Sequence, residues 1–182
     1  MLFETDFNLS AMIIDLFQLS EPDLDFDFEL PAAEVDLEED TARLEKTVRL
    51  AGRLRKGIAQ VDIEGRLTGE IELECTRCLT RAKTPLDFPF KAVYVTSENY
   101  TTDTEAELRA ADLDVSIFEG DKIDLSELAR EQILLNLPVR FLCSENCRGL
   151  CAKCGADKNT VNCNCQENEI DPRWQGLRDL KI

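Results

Sequence analysis

The chain has 182 residues, 43% of them hydrophobic and 32% charged, a composition typical of one domain that folds on its own core. The lack of histidine excludes Ser–His and Cys–His nucleophiles, and the longest apolar runs are too short to span a membrane. The net charge of −16 disfavours strong unspecific binding to nucleic acid. We therefore expect a protein that is not an enzyme and has no membrane partner and no small-molecule substrate.

Charge is distributed unevenly along the chain. Residues 1–40 hold 13 acidic side chains and no basic one, residues 41–91 have a net charge of +4, residues 92–136 of −8 and residues 137–182 of +1. The acidic N-terminus resembles neither a secretory signal nor a transit peptide. We therefore expect a cytoplasmic protein. In that reducing compartment cysteines are metal ligands more often than disulfides.

The first forty residues predict short strands. Met12 to Leu16 is one, and Leu24, Phe26 and Phe28 alternate with acidic residues, as in a strand with one buried face. The acidic side chains are typical of a solvated sheet edge. A docking surface for a basic partner is the alternative.

Residues 47–95 predict an antiparallel sheet, because apolar and charged residues alternate over several runs. Lys56-Gly57 has the composition of a turn, and Cys75-Thr76-Arg77-Cys78 comes where one strand ends and the chain turns back. The polar, acidic residues 96–112 are expected to form a loop.

The clearest helix is predicted over residues 125–137. Asp124 is its expected N-cap with Glu127 as the capping-box partner, and Pro138 ends it. A short terminal helix is predicted to begin at Asp171.

Together these elements predict an α+β fold. It consists of a bent antiparallel sheet, partly closed like a barrel, with one main helix and a small cysteine-rich, zinc-binding C-terminal module. We expect residues 1–140 to form the sheet domain, with acidic N-terminal strands, and residues 141–182 to form the module, packed on the same domain.

The eight cysteines fall in four close pairs, which is the number needed for two four-thiolate metal sites. Ligation by thiolates alone suits a tetrahedral structural zinc ion, or less often an iron–sulfur cluster. The two expected sites are Cys151, Cys154, Cys163 and Cys165, and Cys75, Cys78, Cys143 and Cys147.

The first of these sites follows from the knuckle form of Cys151-Ala152-Lys153-Cys154-Gly155 and the close pair behind it. The second would tie a turn of the sheet to the C-terminal segment. Other partitions, one metal instead of two, and unligated structural thiols stay open. Cys75 and Cys78 have a rival interpretation as a redox dithiol, which lacks the usual helix N-terminus that activates such a thiol.

Basic residues on the predicted strands and near the turn are candidates for RNA binding. They are Arg49, Arg53, Arg55, Lys56, Arg66, Arg77, Arg81 and Lys83. Alternation on neighbouring strands would place several of them on one sheet face. The alternative is a solvated face on which Glu70, Glu72 and Glu74 balance the positive charge.

Two runs resemble a known bacterial family. Cys75-Thr76-Arg77-Cys78-Leu79 is similar to the C-x-R-C-L signature of the YceD family, the large ribosomal RNA subunit accumulation proteins. The segment from Cys147 to Gly155, followed by Cys163-Asn164-Cys165 and by Asp171 to Trp174, resembles that family's tail. Lys158 stands where the family usually has leucine.

The resemblance implies a cytoplasmic, non-enzymatic ribosome-biogenesis factor that supports the synthesis, processing or stability of 23S ribosomal RNA. Two hypotheses follow for its partner. The protein binds precursor rRNA through its basic residues, or it is an acidic adaptor that shields a basic ribosomal protein. A dithiol redox protein acting through Cys75 and Cys78 is the remote third.

Overall fold

The computed structural model describes residues 13–19, 21–96, 115–118, 120–165, 173 and 176. These residues form eight strands, one α-helix and a 3-10 turn at Ala32–Glu34. The strands are β1 Ile13–Asp15, β2 Asp23–Leu30, β3 Ala42–Leu44, β4 Val48–Lys56, β5 Gln60–Glu74, β6 Arg81–Thr96, β7 Val115–Phe118 and β8 Lys122–Asp124, and the helix is α1 Leu125–Asn136. The predicted α+β class is confirmed. The predicted terminal helix lies outside the described residues except for Arg173 and Gly176, and the predicted loop over residues 96–112 lies outside them except for Thr96, which ends β6.

Six strands form the main sheet, in the order β2-β4-β5-β6-β7, with β3 paired to β5. Strands β2, β4 and β5 pair antiparallel, so Leu50 lies opposite both Phe28 and Leu67, and Leu54 lies opposite Ile63. Because side chains alternate across a strand, this register places the apolar residues on one face. Leu50, Leu54, Ile63 and Leu67 are all fully buried there.

The sequence prediction of an antiparallel, partly closed sheet needs two corrections. Strand β7 is parallel to β6, with Val93 opposite Val115. Residues 97–114 separate the two strands, and a connection of that length allows a parallel crossover. In the part of the chain that the structure describes, the main sheet also ends at two edges, β2 and β7, so closure like a barrel is not supported.

The strand predicted over residues 12–16 is present as β1, but it belongs to a separate two-stranded sheet. It pairs antiparallel with β8, and Ile14 lies opposite Ile123. Both side chains are 1% exposed. Strand β8 runs directly into α1, so this small sheet fixes where the helix begins.

The helix prediction is confirmed almost residue for residue. Asp124 caps α1, because its carboxylate accepts hydrogen bonds from the backbone N–H groups of Ser126 (2.8 Å) and Glu127 (3.3 Å). The predicted capping-box partner differs: among the described contacts, the carboxylate of Glu127 accepts from Arg130 (3.1 Å) instead of from the backbone N–H of Asp124. Leu137 is extended, as the residue before a proline prefers. The apolar stripe of α1, formed by Leu125, Leu128, Ala129 and Ile133, is buried.

The described chain groups into two compact units. The first unit contains the described residues up to Leu73 and those between Lys83 and Pro138, and the second contains Glu74–Ala82 and the described residues from Val139 onwards. The connection between β5 and β6 therefore belongs to the second unit. Among the described residues, no helix has both the length and the apolar character needed to cross a membrane.

Two glycines allow a close approach inside the main sheet of the first unit. Gly52 and Gly65 lie directly opposite each other on β4 and β5. The Cζ atoms of Phe26 and Phe90 come within 3.0 Å and 2.9 Å of where Cβ atoms on Gly52 and Gly65 would stand. The two aromatic rings thus occupy the space that the glycines leave on the apolar face.

Replacing Gly65 with alanine is expected to lower the free energy of unfolding by about 1–3 kcal/mol, the usual cost of overpacking a core. The added Cβ would clash with the carbonyl oxygen of Ala51, a backbone atom that cannot move without disturbing the strand pair. Denaturant unfolding measures the effect. Gly176→Ala is the matched control, because a Cβ there meets no atom within 4 Å. Equal stability of the two variants would contradict the close approach.

Candidate metal centres

The second unit brings the eight cysteines together in the two groups of four that the sequence predicts. In the first cysteine group, Cys75 and Cys78 from the β5–β6 connection meet Cys143 and Cys147 from the segment after α1, and the four Sγ atoms lie within 4.8 Å of one another. The Sγ atoms of Cys75 and Cys147 are 3.7 Å apart, and those of Cys78 and Cys143 are 3.6 Å apart.

These distances fit a tetrahedral metal site. Four sulfurs at about 2.3 Å from one ion form a tetrahedron whose edges are about 3.8 Å long. A disulfide would need an S–S separation of about 2.05 Å, and all eight cysteines are free thiols. The first cysteine group can therefore bind one tetrahedral ion with little movement of its sulfur atoms.

The second cysteine group consists of Cys151, Cys154, Cys163 and Cys165, whose Sγ atoms also lie within 4.8 Å of one another. It is closer to solvent than the first group. Cys151 is buried, but Cys154 is exposed and the other two are half-buried. Both groups offer four thiolates and no oxygen or nitrogen ligand, a donor set typical of zinc or iron–sulfur sites.

The two C-x-x-C motifs fold into the same turn although they are far apart in sequence. In the first, the carbonyl oxygen of Cys75 accepts from the N–H of Leu79 (2.9 Å), and the N–H of Cys75 donates to Thr80 (3.0 Å). In the second, the carbonyl oxygen of Cys151 accepts from the N–H of Gly155 (2.9 Å), and the N–H of Cys151 donates to the carbonyl oxygen of Ala156 (2.8 Å). This repeated hydrogen-bond pattern aims backbone N–H groups at the first cysteine of each motif.

These N–H groups favour the thiolate form. Burial raises the pKa of Cys75, but hydrogen bonds from the backbone N–H groups of Cys143, Arg77 and Cys78 outweigh it and lower the pKa to about 6. Backbone N–H groups of Cys154 and Lys153 likewise lower the pKa of Cys151 to about 6. Each group thus contains a cysteine prepared to be a thiolate ligand.

Other cysteines in each group keep their protons more tightly. Hydrogen bonding to the sulfur of Cys78 raises the pKa of Cys143 to about 12, and hydrogen bonding to Cys154 raises the pKa of Cys165 to about 12. The protonated thiol is the form that donates such a bond to a neighbouring sulfur, and burial and repulsion between thiolates add to the rise in pKa. A bound cation is what would allow all four sulfurs of a group to be thiolates together.

Asn159 is a contact of the first group that the sequence analysis missed. Its Nδ2 donates to Sγ of Cys147 at 3.4 Å, and this bond lowers the pKa of Cys147. Asn159 stands in a polar turn, where neither periodicity nor spacing distinguishes it from other turn residues. Only the folded position of its loop reveals the contact.

Burial indicates a structural role for the first group. Cys75 is 0% exposed, Cys147 1% and Cys78 5%, and Leu142 and Leu150 pack against them. A redox dithiol needs an accessible thiolate. The burial of Cys75 and Cys78 therefore argues against the redox interpretation, even with a lowered pKa for Cys75.

The structure pairs five of the eight residues predicted to bind RNA with carboxylates. Arg49 pairs with Asp27, Arg53 with Asp25, Arg55 with Glu64, Arg66 with Asp87 and Lys83 with Glu45. Lys56 donates to the carbonyl oxygen of Leu16 (2.7 Å), and Arg77 and Arg81 lie in the second unit. The partners lie mostly on neighbouring strands, whereas Glu70 pairs with Lys46. RNA binding by these eight residues stays a prediction.

The residue after each C-x-x-C motif adopts the left-handed conformation, with φ of 62° at Leu79 and 71° at Gly155. Glycine takes this conformation without steric cost, whereas a residue with a Cβ atom is less stable in it by about 1–2 kcal/mol. The first C-x-x-C turn thus carries backbone strain that the second avoids. Leu79 is also 54% exposed, so burial of its side chain compensates only in part.

Gly155→Ala is expected to destabilise the second unit by about 1–2 kcal/mol through conformation alone, since a Cβ at Gly155 meets no atom within 4 Å. Denaturant unfolding, monitored by the release of any bound metal, measures the change in the free energy of unfolding. Gly155→Asn is the matched variant, because asparagine tolerates the left-handed region, and it should recover most of the loss. If alanine is as stable as glycine, the turn has another conformation in solution.

Comparison with known proteins gives the chain its family. Residues 63–181 match the family model described as large ribosomal RNA subunit accumulation protein YceD. The protein YlbN of Bacillus subtilis (strain 168) is 29% identical over 169 residues, which cover 92% of this chain and 94% of YlbN. No solved structure matches significantly.

Two plant relatives match a shorter stretch. The chloroplastic large ribosomal RNA subunit accumulation protein YCED homolog 1 is 33% identical over 63 residues in Arabidopsis thaliana and 39% identical over 61 residues in Zea mays. These matches cover 35% and 33% of this chain and 20% of each plant protein. Since the family model spans more than half of the chain and all eight cysteines, the protein belongs to the YceD family.

Proposed function

We propose that this protein is a non-enzymatic factor that supports the accumulation of large-subunit ribosomal RNA, and that two structural zinc ions hold its second unit together. Membership of the YceD family and the names of the two plant relatives support the ribosomal role. The observation that carries the zinc assignment is the pair of four-thiolate groups, each within 4.8 Å, with tetrahedral sulfur–sulfur distances in the first group.

Both sites have the ligand number of a structural ion. A catalytic zinc keeps one coordination position open for water or substrate, whereas four protein thiolates fill all four positions. The residues that would hold the ions are Cys75, Cys78, Cys143 and Cys147 in one site and Cys151, Cys154, Cys163 and Cys165 in the other. When bound, zinc neutralises the clustered thiolates and links distant segments of chain.

Elemental analysis and native mass spectrometry of the purified protein are expected to find two zinc ions per chain. Cys75→Ser with Cys78→Ser should leave one, as should Cys163→Ser with Cys165→Ser, because each pair removes half of one ligand set. Iron in place of zinc would contradict the metal assignment. Absence of any metal from the wild-type protein would rule out the metal-site interpretation itself.

We propose further that the protein contacts RNA directly, through arginines of the second unit. Arg77, Arg140 and Arg148 are all exposed. Within the described part of the chain, no carboxylate lies at ion-pair distance from any of the three, in contrast to the five paired residues of the first unit. Arg148 donates one long hydrogen bond to Oδ1 of Asn162 (3.5 Å), and the other N–H donors of the three guanidinium groups can bind phosphate oxygens.

The ion pairs of the first unit weaken the case for its sheet face. Each paired arginine of that face lies beside the negative charge of a carboxylate, as Arg53 does beside Asp25 and Arg66 beside Asp87. A phosphate would have to compete with these carboxylates for the same donors. Since phosphate contacts dominate unspecific affinity, the unpaired arginines of the second unit are the better contact points.

A triple variant tests this proposal. Changing Arg77, Arg140 and Arg148 to alanine is expected to weaken binding of precursor rRNA and to reduce the slope of log K against log salt by about 2. The matched triple of Arg49, Arg53 and Arg66 also removes three positive charges and should leave that slope unchanged. Filter binding over a range of salt concentrations gives both quantities, and circular dichroism with thermal unfolding confirms that the variants are folded.

The outcomes separate three readings. Loss of binding only in the matched triple would move the RNA contact to the sheet face of the first unit. Lack of RNA binding by the wild-type protein at low salt would overturn direct RNA contact and favour the adaptor. Residues 21–40, which hold ten carboxylates and no basic side chain, are the feature that supports that second candidate. Salt-sensitive binding of a purified basic ribosomal protein would then be expected.

A further inference from the structure

The second cysteine group carries a loop that reaches the first. Residues 155–162 lie between two ligands of the second group, Cys154 and Cys163, and they include Asn159. The Nδ2 atom of Asn159 donates to Sγ of Cys147, a ligand of the first group, at 3.4 Å. One side chain thus joins the loop that one group closes to a sulfur atom of the other.

The amide of Asn159 has only one orientation that satisfies its neighbours. Nδ2 donates to the carboxylate of Asp157 (2.8 Å) as well as to Cys147, and Oδ1 accepts from the backbone N–H of Arg148 (2.7 Å). A flipped amide would place oxygen against the carboxylate and NH₂ against an N–H donor. The N–H group is therefore aimed at the sulfur by a complete set of partners.

Backbone hydrogen bonds fix the loop that carries Asn159. The N–H of Lys158 donates to the carbonyl oxygen of Gly149 (2.9 Å), and Leu150 and Asp157 form a β-bridge. The N–H of Leu150 in turn donates to the carbonyl oxygen of Arg77 (2.9 Å), which lies in the C-x-x-C motif of the first group. A continuous series of short contacts thus runs from one group to the other.

A neutral N–H donor on a metal-bound thiolate has a definite physical effect. A zinc ion with four thiolates carries a net charge of −2, and hydrogen bonds to the sulfurs spread that charge and fix the ligand orientation. Loss of such a partner commonly costs tenfold or more in metal affinity. The donor works only while its loop holds it in place.

We propose that Asn159 is a positioning residue that couples the two metal sites: metal in the second group fixes loop 155–162, which holds the Asn159 amide against Cys147 and tightens metal binding in the first. The coupling is reciprocal, since a free energy of coupling acts equally on both sites. This inference rests on the proposed function of both groups as zinc sites.

Cobalt-substituted full-length protein tests the coupling. Asn159→Ala should weaken metal binding at the first group roughly tenfold in a chelator competition. Its sulfur-to-cobalt charge-transfer band should also move to longer wavelength, because a thiolate without its N–H donor gives up an electron more easily. Alkylation of released cysteines, read by mass spectrometry, assigns each loss to a group. Thr160→Ala is the matched control, since it changes the same loop and leaves the amide in place.

A double-mutant cycle gives the decisive comparison. Cys163→Ser with Cys165→Ser should weaken the first group by a similar factor, and adding Asn159→Ala should then cost little more, because both changes remove the same contact. Full additivity would overturn the coupling. So would an Asn159→Ala protein that binds two metals with unchanged affinity and spectrum. A wild-type protein that binds fewer than two metals would instead remove the zinc assignment on which the coupling rests.

Discussion

Each of the two cysteine groups in the second unit holds four sulfur atoms within 4.8 Å of one another. Thiolates at this spacing repel one another, and the second unit must balance that repulsion in both groups. Backbone N–H groups favour the thiolate at Cys75 and Cys151, and neighbouring sulfurs favour the protonated thiol at Cys143 and Cys165. The two preferences conflict within each group, and a bound divalent cation would allow all four sulfurs to be thiolates. Cysteine sulfurs form much of the buried centre around Leu142 and Leu150, where a larger domain would have aliphatic side chains.

The first unit uses charge differently. One face of its sheet is apolar and buried, and the other carries ion pairs between neighbouring strands, such as Asp25 with Arg53. Exposed pairs of this kind add little stability, but they neutralise a surface that a count of arginines would make strongly basic. They also charge the open edge at β2, and charged edge strands resist pairing with another chain. The distribution of positive charge in the fold thus differs from its distribution in the sequence.

Local chemistry could be predicted from the sequence, and long-range placement could not. The N-cap at Asp124 and the stripe of α1 follow from residue types at fixed spacing, and so does the turn at Lys56-Gly57. The four close pairs of thiols and the lack of histidine predict two four-thiolate groups, but other partitions of the pairs stayed open until the fold placed them. The parallel direction of β7, the partners of the arginines and the contact of Asn159 with Cys147 depend on register and loop placement. None of these leaves a periodic trace in the chain.

The wide spacing of the first cysteine group has a consequence for the unfolded state. Cys75 and Cys147 are 72 residues apart, and the chain between them includes β6, β7, β8 and α1 of the first unit. An ion held by both ends would close that chain into a ring, much as a disulfide does, and so would reduce the conformational freedom of any unfolded form that keeps the ion. The second group closes a ring of only 15 residues, from Cys151 to Cys165. An ion in the first group would therefore restrain the unfolded chain of the first unit, whereas an ion in the second group would restrain only residues 151–165.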